Sequence, residues 1–305
     1  MHTIFKGAIA GASLAALAAA APAVSAHPLD GLSEAEITEA VELLRASGDA
    51  GDDTLFPYIS LHEPDKATVL AWKDGDPEPR MVTVHLKRPD GAFVAEVDLA
   101  ADEVASIEPA GGQTMLLLAE FLEAMNLATS APEFVAGLEK RGLTPDDVFC
   151  LPLTAGSFGL PEEEGRRLLK VPCYVLPETS NFYAKPIEGL YAVVDLNADE
   201  VVEVLDSGAL PVPQDGWGYS DEEVQARTGE LRPEMKPATL SQPDGANFTL
   251  ENGLVNWDIW RFRVRVDKRP GVVLSNIALN DDGRWRQMMY QAHLSEVFVP
   301  YMDPD

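Results

Sequence analysis

The sequence predicts an α+β protein: two small domains, each a helix on an antiparallel sheet, and then a region built of strands. Three observations carry that expectation. The string VDLAADEV at residues 97–104 returns as VDLNADEV at 194–201. Each copy is an apolar run, an Asp/Asn-rich reversal and a second run, which is the pattern of a hairpin. A helical stretch and several strand patterns precede each copy, so the same kind of unit is used twice. Beyond residue 247, short alternating apolar runs recur and read as a new β domain.

Residues 1–26 open with the basic His2 and Lys6, continue as an Ala/Leu-rich run and end on Ala23-Val24-Ser25-Ala26. This predicts a cleaved export signal and a mature chain beginning at His27. The first domain, 27–110, starts with a helix. Ser33 is its N-cap, Glu36 the capping-box partner and Leu32 the staple onto Ile37. Ile37, Ala40, Val41 and Leu44 form its apolar stripe. Strand patterns follow at 55–61, 67–72, 81–86, 93–99 and 103–107, and a helix on one face of that sheet buries the stripe.

The second domain, 111–213, begins with an apolar helix at 115–127. A further helix is capped by Ser130, has Pro132 and Glu133 in its first turn and ends at Gly142. Its strands are expected at 148–153, 167–175, 190–195 and 200–205. A Gly/Pro-rich acidic stretch with little apolar period follows, so 214–237 reads as an ordered linker. In the last region, 238–305, strands are expected at 248–250, 254–257, 260–266, 272–277, 284–290 and 296–299, with Trp257 and Trp260 as core aromatics.

Composition narrows the function. The formal net charge of −27 repels nucleic acid and anionic membranes and draws small cations. After residue 26 no run is long and apolar enough to span a bilayer. Secretion or a periplasmic location follows from the export signal. Cys150 and Cys173 are the two cysteines, read either as one disulfide or as two buried strand thiols. Neither stands at metal-ligand spacing from another Cys or a His, so no metal site is expected.

The segment 271–305 carries Gly271-Val272-Val273-Leu274, then Tyr290, Ala292, Leu294-Ser295-Glu296 and Val299-Pro300-Tyr301, closing on Asp303-Pro304. It resembles the opening of the catalytic domain of copper- and topaquinone-dependent primary-amine oxidases. Further strings in the same order extend the resemblance over nearly the whole mature chain. They are Pro28-Leu29, the run from Tyr183 to Leu190, Lys236-Pro237 and the run from Gln242 to Thr249. Met302 stands where that family usually has Gly, and Gln291 where Arg is common.

The resemblance implies two cystatin-like small domains followed by the first strands of a large β-sandwich. It also implies oxidation of a primary amine by oxygen to aldehyde, ammonia and hydrogen peroxide, in a homodimer using copper and topaquinone. The parts that hold those cofactors are not found here. The sequence has no N-Y-D/E-Y, no F-D-x-G-E and no His-x-His; its histidines are His2, His27, His62, His85 and His293. The expectation is therefore the entry domains of such an oxidase, inactive alone and binding neither copper nor quinone.

Five positions are carried over by resemblance. Tyr301 matches the tyrosine that hydrogen-bonds the quinone. Phe121, Pro152, Leu153 and Tyr183 match the wall of the substrate channel, an apolar set suited to aryl or alkyl amines. Phe121 also sits on its helix's apolar stripe, which predicts core packing equally well. The competing class is a non-catalytic secreted binding module. An independent hydrolase is poorly supported, since Gly-x-Ser-x-Gly, HExxH and a paired Cys/His arrangement are all absent from the sequence.

Overall fold

A computed structural model describes residues 27–156, 158–295 and 297. The export-signal reading, the strand expected at 296–299 and Tyr301 lie outside the described residues. The first unit comprises α1 (Glu34–Ala46), β1 (Leu55–His62), α2 (Lys66–Ala71), β2 (Met81–Arg88), β3 (Gly91–Asp98) and β4 (Glu103–Pro109). Its sheet is an antiparallel meander, β1-β2-β3-β4. The Ser33 N–H donates to Glu36 Oε2 at 2.7 Å while the Glu36 N–H donates to Ser33 Oγ at 3.3 Å, closing the expected capping box. Ala40 and Leu44 of α1 are buried with Val82, Val84 and Leu86 of β2; the helical and strand periods meet in one core.

The strand expected at 67–72 is instead α2. Its six apolar-rich residues fit either period, and its N-cap, Asp65, makes no side-chain capping bond. Only Val69 of this helix is buried.

In the second unit, α3 (Leu118–Ser130) and α4 (Pro132–Glu139) cover a sheet of β5 (Val148–Cys150), β6 (Leu153–Thr154), β7 (Leu168–Val175), β8 (Pro186–Asp195) and β9 (Glu200–Asp206). Ser130 is not the cap of α4: it is the last residue of α3, and Ala131 holds the N-cap position without a side-chain bond. Pro132 forces the break by lacking the N–H that a continuous helix needs. Cys150 and Cys173 are directly opposed cross-strand partners and are joined as a disulfide within the core.

The two copies of the repeat occupy equivalent hairpins. Val97 pairs with Val104 and Val194 with Val201, each beside a register shift. Asp98 Oδ1 accepts from the N–H of Ala100, and Asp195 Oδ1 from that of Asn197. Asp102 and Asp199 both turn the chain with φ near +50° (54° and 52°), a conformation Asp tolerates. The likeness extends to the ion pairs. Arg80 precedes β2, accepts the Leu99 N–H on its carbonyl and pairs with Glu36 of α1 at 2.6 Å. Arg167 precedes β7, accepts the Leu196 N–H and pairs with Glu120 of α3 at 2.7 Å. In both units the helix's N3 glutamate is the arginine's partner.

The stretch read as a linker contains α5 (Asp221–Thr228). Ser220 and Glu223 form its capping box, a signal present in the sequence. Glu223 also accepts from the N–H and hydroxyl of Ser180 at 2.8 and 2.5 Å, so α5 is tied to the β7–β8 connection. The Ser180 and Ser220 bonds hold the Glu223 carboxyl down at about 2.

The last sheet, β10 (Phe248–Glu251), β11 (Leu254–Trp257), β12 (Trp260–Asp267), β13 (Gly271–Asp281) and β14 (Arg284–Ala292), is a five-stranded meander. Its strands fall where the alternation places them. Trp257, expected in a core, is exposed, and Trp260 is half-buried. One face of this sheet docks on the first unit through polar contacts. Arg263 pairs with Asp30 at 2.8 Å, and Tyr58 donates to Asp267 at 2.9 Å. Glu63 accepts from Gln291 at 2.7 Å and also binds Arg265. The Gln at 291 thus has a structural partner. Lys87 Nζ, at 3.1 Å from Glu120, links the first unit to the second.

His27 sits at the first of these junctions, its ring edge-on to Trp72 at 5.0 Å and its Nδ1 accepting the Leu29 N–H. Burial, aided by the Arg263 charge, lowers its pKa to about 4. A base whose folded pKa lies below its unfolded value favours unfolding when protonated. Stability is therefore complete above 6.5 and lost as the pH falls toward 4. Urea denaturation at pH 7 and 4.5 is expected to show a loss of about 2 kcal/mol that His27→Gln does not share; equal losses in both proteins contradict it.

Candidate functional site

Strand β7 alternates strictly. Leu169, Val171 and Cys173 are buried under α3 and α4, and Lys170, Pro172 and Tyr174 look away from the helices. Direct cross-strand partners share a face, so Phe149, opposite Tyr174, and Leu153, opposite Lys170, join that outer face. The β7–β8 connection folds back over it. Tyr183 meets Tyr174 edge-on at 5.5 Å and lies 4.3 Å from Phe182, whose ring meets Phe149 at 6.0 Å. The result is a ledge of four aromatic rings.

The ledge is held rigidly but left open. The Tyr183 N–H donates to Asn181 Oδ1 at 3.1 Å, and Ser180 is anchored by Glu223. Leu153 and Tyr183 remain more than half exposed, at 59% and 53%. Thr154, next to Leu153, lines a cavity of about 900 Å³ between residues 111–116 and 154–168. On its floor Arg167 gives every N–H to Glu120, Gln113, Thr114 or Met115, so this arginine is a strut with no donor free for a ligand. Burial would raise the Glu120 carboxyl, but bonds from Arg167, Leu117 and Lys87 outweigh it and hold it down at about 2.

The four channel residues do not all meet. Leu153 and Tyr183 share the outer face, some four residues apart along β7. Pro152 is buried at the exit of β5. Phe121 packs against the core from α3, on the opposite side of the sheet from the aromatic ledge. Sequence reading missed Phe149, Tyr174 and Phe182. Pairing the two cysteines across neighbouring strands would have found two of them, since that register sets Phe149 against Tyr174.

Nothing among the described residues gathers three or more His, Cys, Asp or Glu side chains in a metal-holding group. His27 bonds backbone, His62 lies 2.6 Å from Glu96, and His85 stands against Tyr58. These separated imidazoles do not fit a copper centre. No described helix is long and apolar enough to cross a membrane. The described site is an apolar wall of aromatic and aliphatic side chains.

Comparison with known proteins matches three regions of the chain to domains of one family. The copper amine oxidase N2 domain matches residues 27–109, the N3 domain 119–217 and the enzyme domain 249–305. The primary amine oxidase of Klebsiella aerogenes is 37% identical over 286 residues, 92% of this chain and 37% of the relative. The histamine oxidase of Arthrobacter globiformis is 36% identical over 291 residues, 92% of this chain and 42% of the relative. The chain thus spans about two fifths of the curated relatives it matches. A crystal structure of a copper-containing benzylamine oxidase from Hansenula polymorpha superposes with a TM-score of 0.75 at 24% identity, covering 91% of this chain and 46% of that one; this likeness concerns the fold. In sequence and in fold, the chain belongs to the copper amine oxidase family, of which it carries an amino-terminal portion and part of the enzyme domain.

Proposed function

We propose that this chain serves in the oxidation of primary amines to aldehyde, ammonia and hydrogen peroxide, as the part of a copper amine oxidase that positions domains and guides the amine. The observation that carries the reading is the ordered match of N2, N3 and enzyme domains over residues 27–305. The domain limits proposed with it, 27–110, 111–213, a connection at 214–237 and an enzyme-domain portion from 238, are supported by the meander of β1–β4, the sheet of β5–β9 and the meander of β10–β14.

Leu153, Tyr183 and the surrounding rings form the channel wall, with Pro152 beneath them and Phe121 bracing the sheet from behind. Tyr301, which lies outside the described residues, takes the quinone-contacting role by resemblance alone. The net charge of −27 concentrates ammonium ions near this wall. Export after removal of residues 1–26 agrees with the Cys150–Cys173 disulfide, which an oxidising compartment preserves. The working oxidase is a homodimer. Copper and topaquinone reside on residues outside 27–305, and together they supply the redox chemistry.

Aerobic incubation of residues 27–305 with copper(II), followed by metal analysis and quinone staining, tests this division. The expected result is copper well below one per chain and no quinone. One tightly held copper with a quinone chromophore overturns it.

A further inference from the structure

Two of the ledge's four rings sit on a connecting loop, between the end of β7 and the start of β8. Phe182 and Tyr183 are 39% and 53% exposed there, so burial alone does not fix them. The loop's own hydrogen bonds are local: the Asn181 N–H donates to Thr179 Oγ1 at 3.3 Å and the Tyr183 N–H to Asn181 Oδ1 at 3.1 Å. An exposed loop with few long-range bonds opens easily unless another element holds it.

That element is the segment leading into α5. Two glycines let it come close: a Cβ at Gly216 would stand 3.1 Å from the Ala184 Cβ, and one at Gly218 would stand 2.1 Å from the Glu223 carboxylate. Between them, Trp217 lies under the Arg227 guanidinium at 4.5 Å, which fastens the segment to its own helix. Glu223 then reaches the loop. Its Oε1 accepts the Ser180 N–H at 2.8 Å, its Oε2 accepts the Ser180 hydroxyl at 2.5 Å, and Ser180 Oγ accepts the Tyr219 N–H at 2.7 Å. A capping box needs only the Ser220 contacts. The bonds to Ser180, 43 residues away in sequence, are charge-assisted and correspondingly strong.

We propose that Glu223 is a positioning residue: from α5 it clamps the loop at Ser180 and so holds Phe182 and Tyr183 against Phe149 and Tyr174 as a fixed wall for an aryl amine. The clamp stands on these contacts, and its service to the amine rests on the proposed channel role of Tyr183. Because α5 buries no side chain, Glu223 can be changed without opening a core.

Hydrogen exchange of the full chain, read over residues 178–184, tests the clamp without activity. Glu223→Ala is expected to speed exchange there about tenfold. Ser220→Ala, which opens only the helix cap, should stay within about twofold of the parent, and protection of β8 should be unchanged in both. Unchanged exchange in Glu223→Ala, an equal rise in Ser220→Ala, or a matching loss of protection in β8 overturns the clamp. In an oxidase completed with the remaining enzyme domain of a relative, Glu223→Ala is expected to raise KM for benzylamine about threefold or more, with kcat and the methylamine KM near the parent's. Equal changes for the two amines, or none, overturn the positioning role. A completed parent without activity defeats the channel reading instead, and exchange then decides the clamp by itself.

Discussion

Arg167→Ala is expected to destabilise the second unit by about 3–5 kcal/mol, the range for removing one member of a buried ion pair. Both partners are 3% exposed, and the guanidinium spends its donors on Glu120, Gln113, Thr114 and Met115. Truncation strands the Glu120 charge with Lys87 as its remaining partner and frees buried carbonyls of the segment entering α3. The double change Arg167→Met with Glu120→Leu is expected to recover much of the loss, because no charge is then buried alone.

The matching Arg80→Ala should cost less, since Glu36 is only partly buried. Hydrogen exchange on β7 and β8 reads the effect directly. Protection left unchanged by Arg167→Ala contradicts it. The pH dependence has a definite sign. The Glu120 carboxyl is held at about 2 against its usual 4.5, so the pair's contribution is full above pH 4.5 and is lost as the pH falls toward 2.

Loss of the disulfide is expected to be nearly as severe. Cys150 and Cys173 are 23 residues apart and join β5 to the centre of the core. Closing a loop of that length stabilises by about 3 kcal/mol through the restricted unfolded chain. Cys150→Ala with Cys173→Ala should lower the urea midpoint accordingly while leaving the strand register intact. A midpoint within about 0.5 kcal/mol of the parent in free energy would mean that the bridge adds nothing to packing already present.

Much of the fold was legible from residues alone. The Ser33–Glu36 capping box, the alternation of 81–86 and the doubled VDLxADEV string each state their local structure, and each unit uses the same hairpin. The misreadings have local causes. Residues 66–71 are too few for period to separate helix from strand. The Ser220–Glu223 box was masked by the acidic, apolar-poor α5, which buries no side chain and shows no stripe. The site was less legible because it depends on register. That Leu153 and Phe149 share the face of Tyr174 while Phe121 sits behind the sheet follows from strand pairing, which spacing within one strand does not reveal.

The most direct test joins residues 27–305 to the remaining enzyme domain of the Klebsiella aerogenes relative, loads the product with copper and follows peroxide release from benzylamine and methylamine. Oxidation of benzylamine is expected. Leu153→Ala with Tyr183→Ala should reduce kcat/KM for benzylamine about tenfold, the scale of one lost apolar contact region, with methylamine nearly unchanged. A folded, copper-loaded product that releases no peroxide, or an active one whose two rates are indifferent to both substitutions, contradicts the proposed role of this chain as the wall that guides the amine.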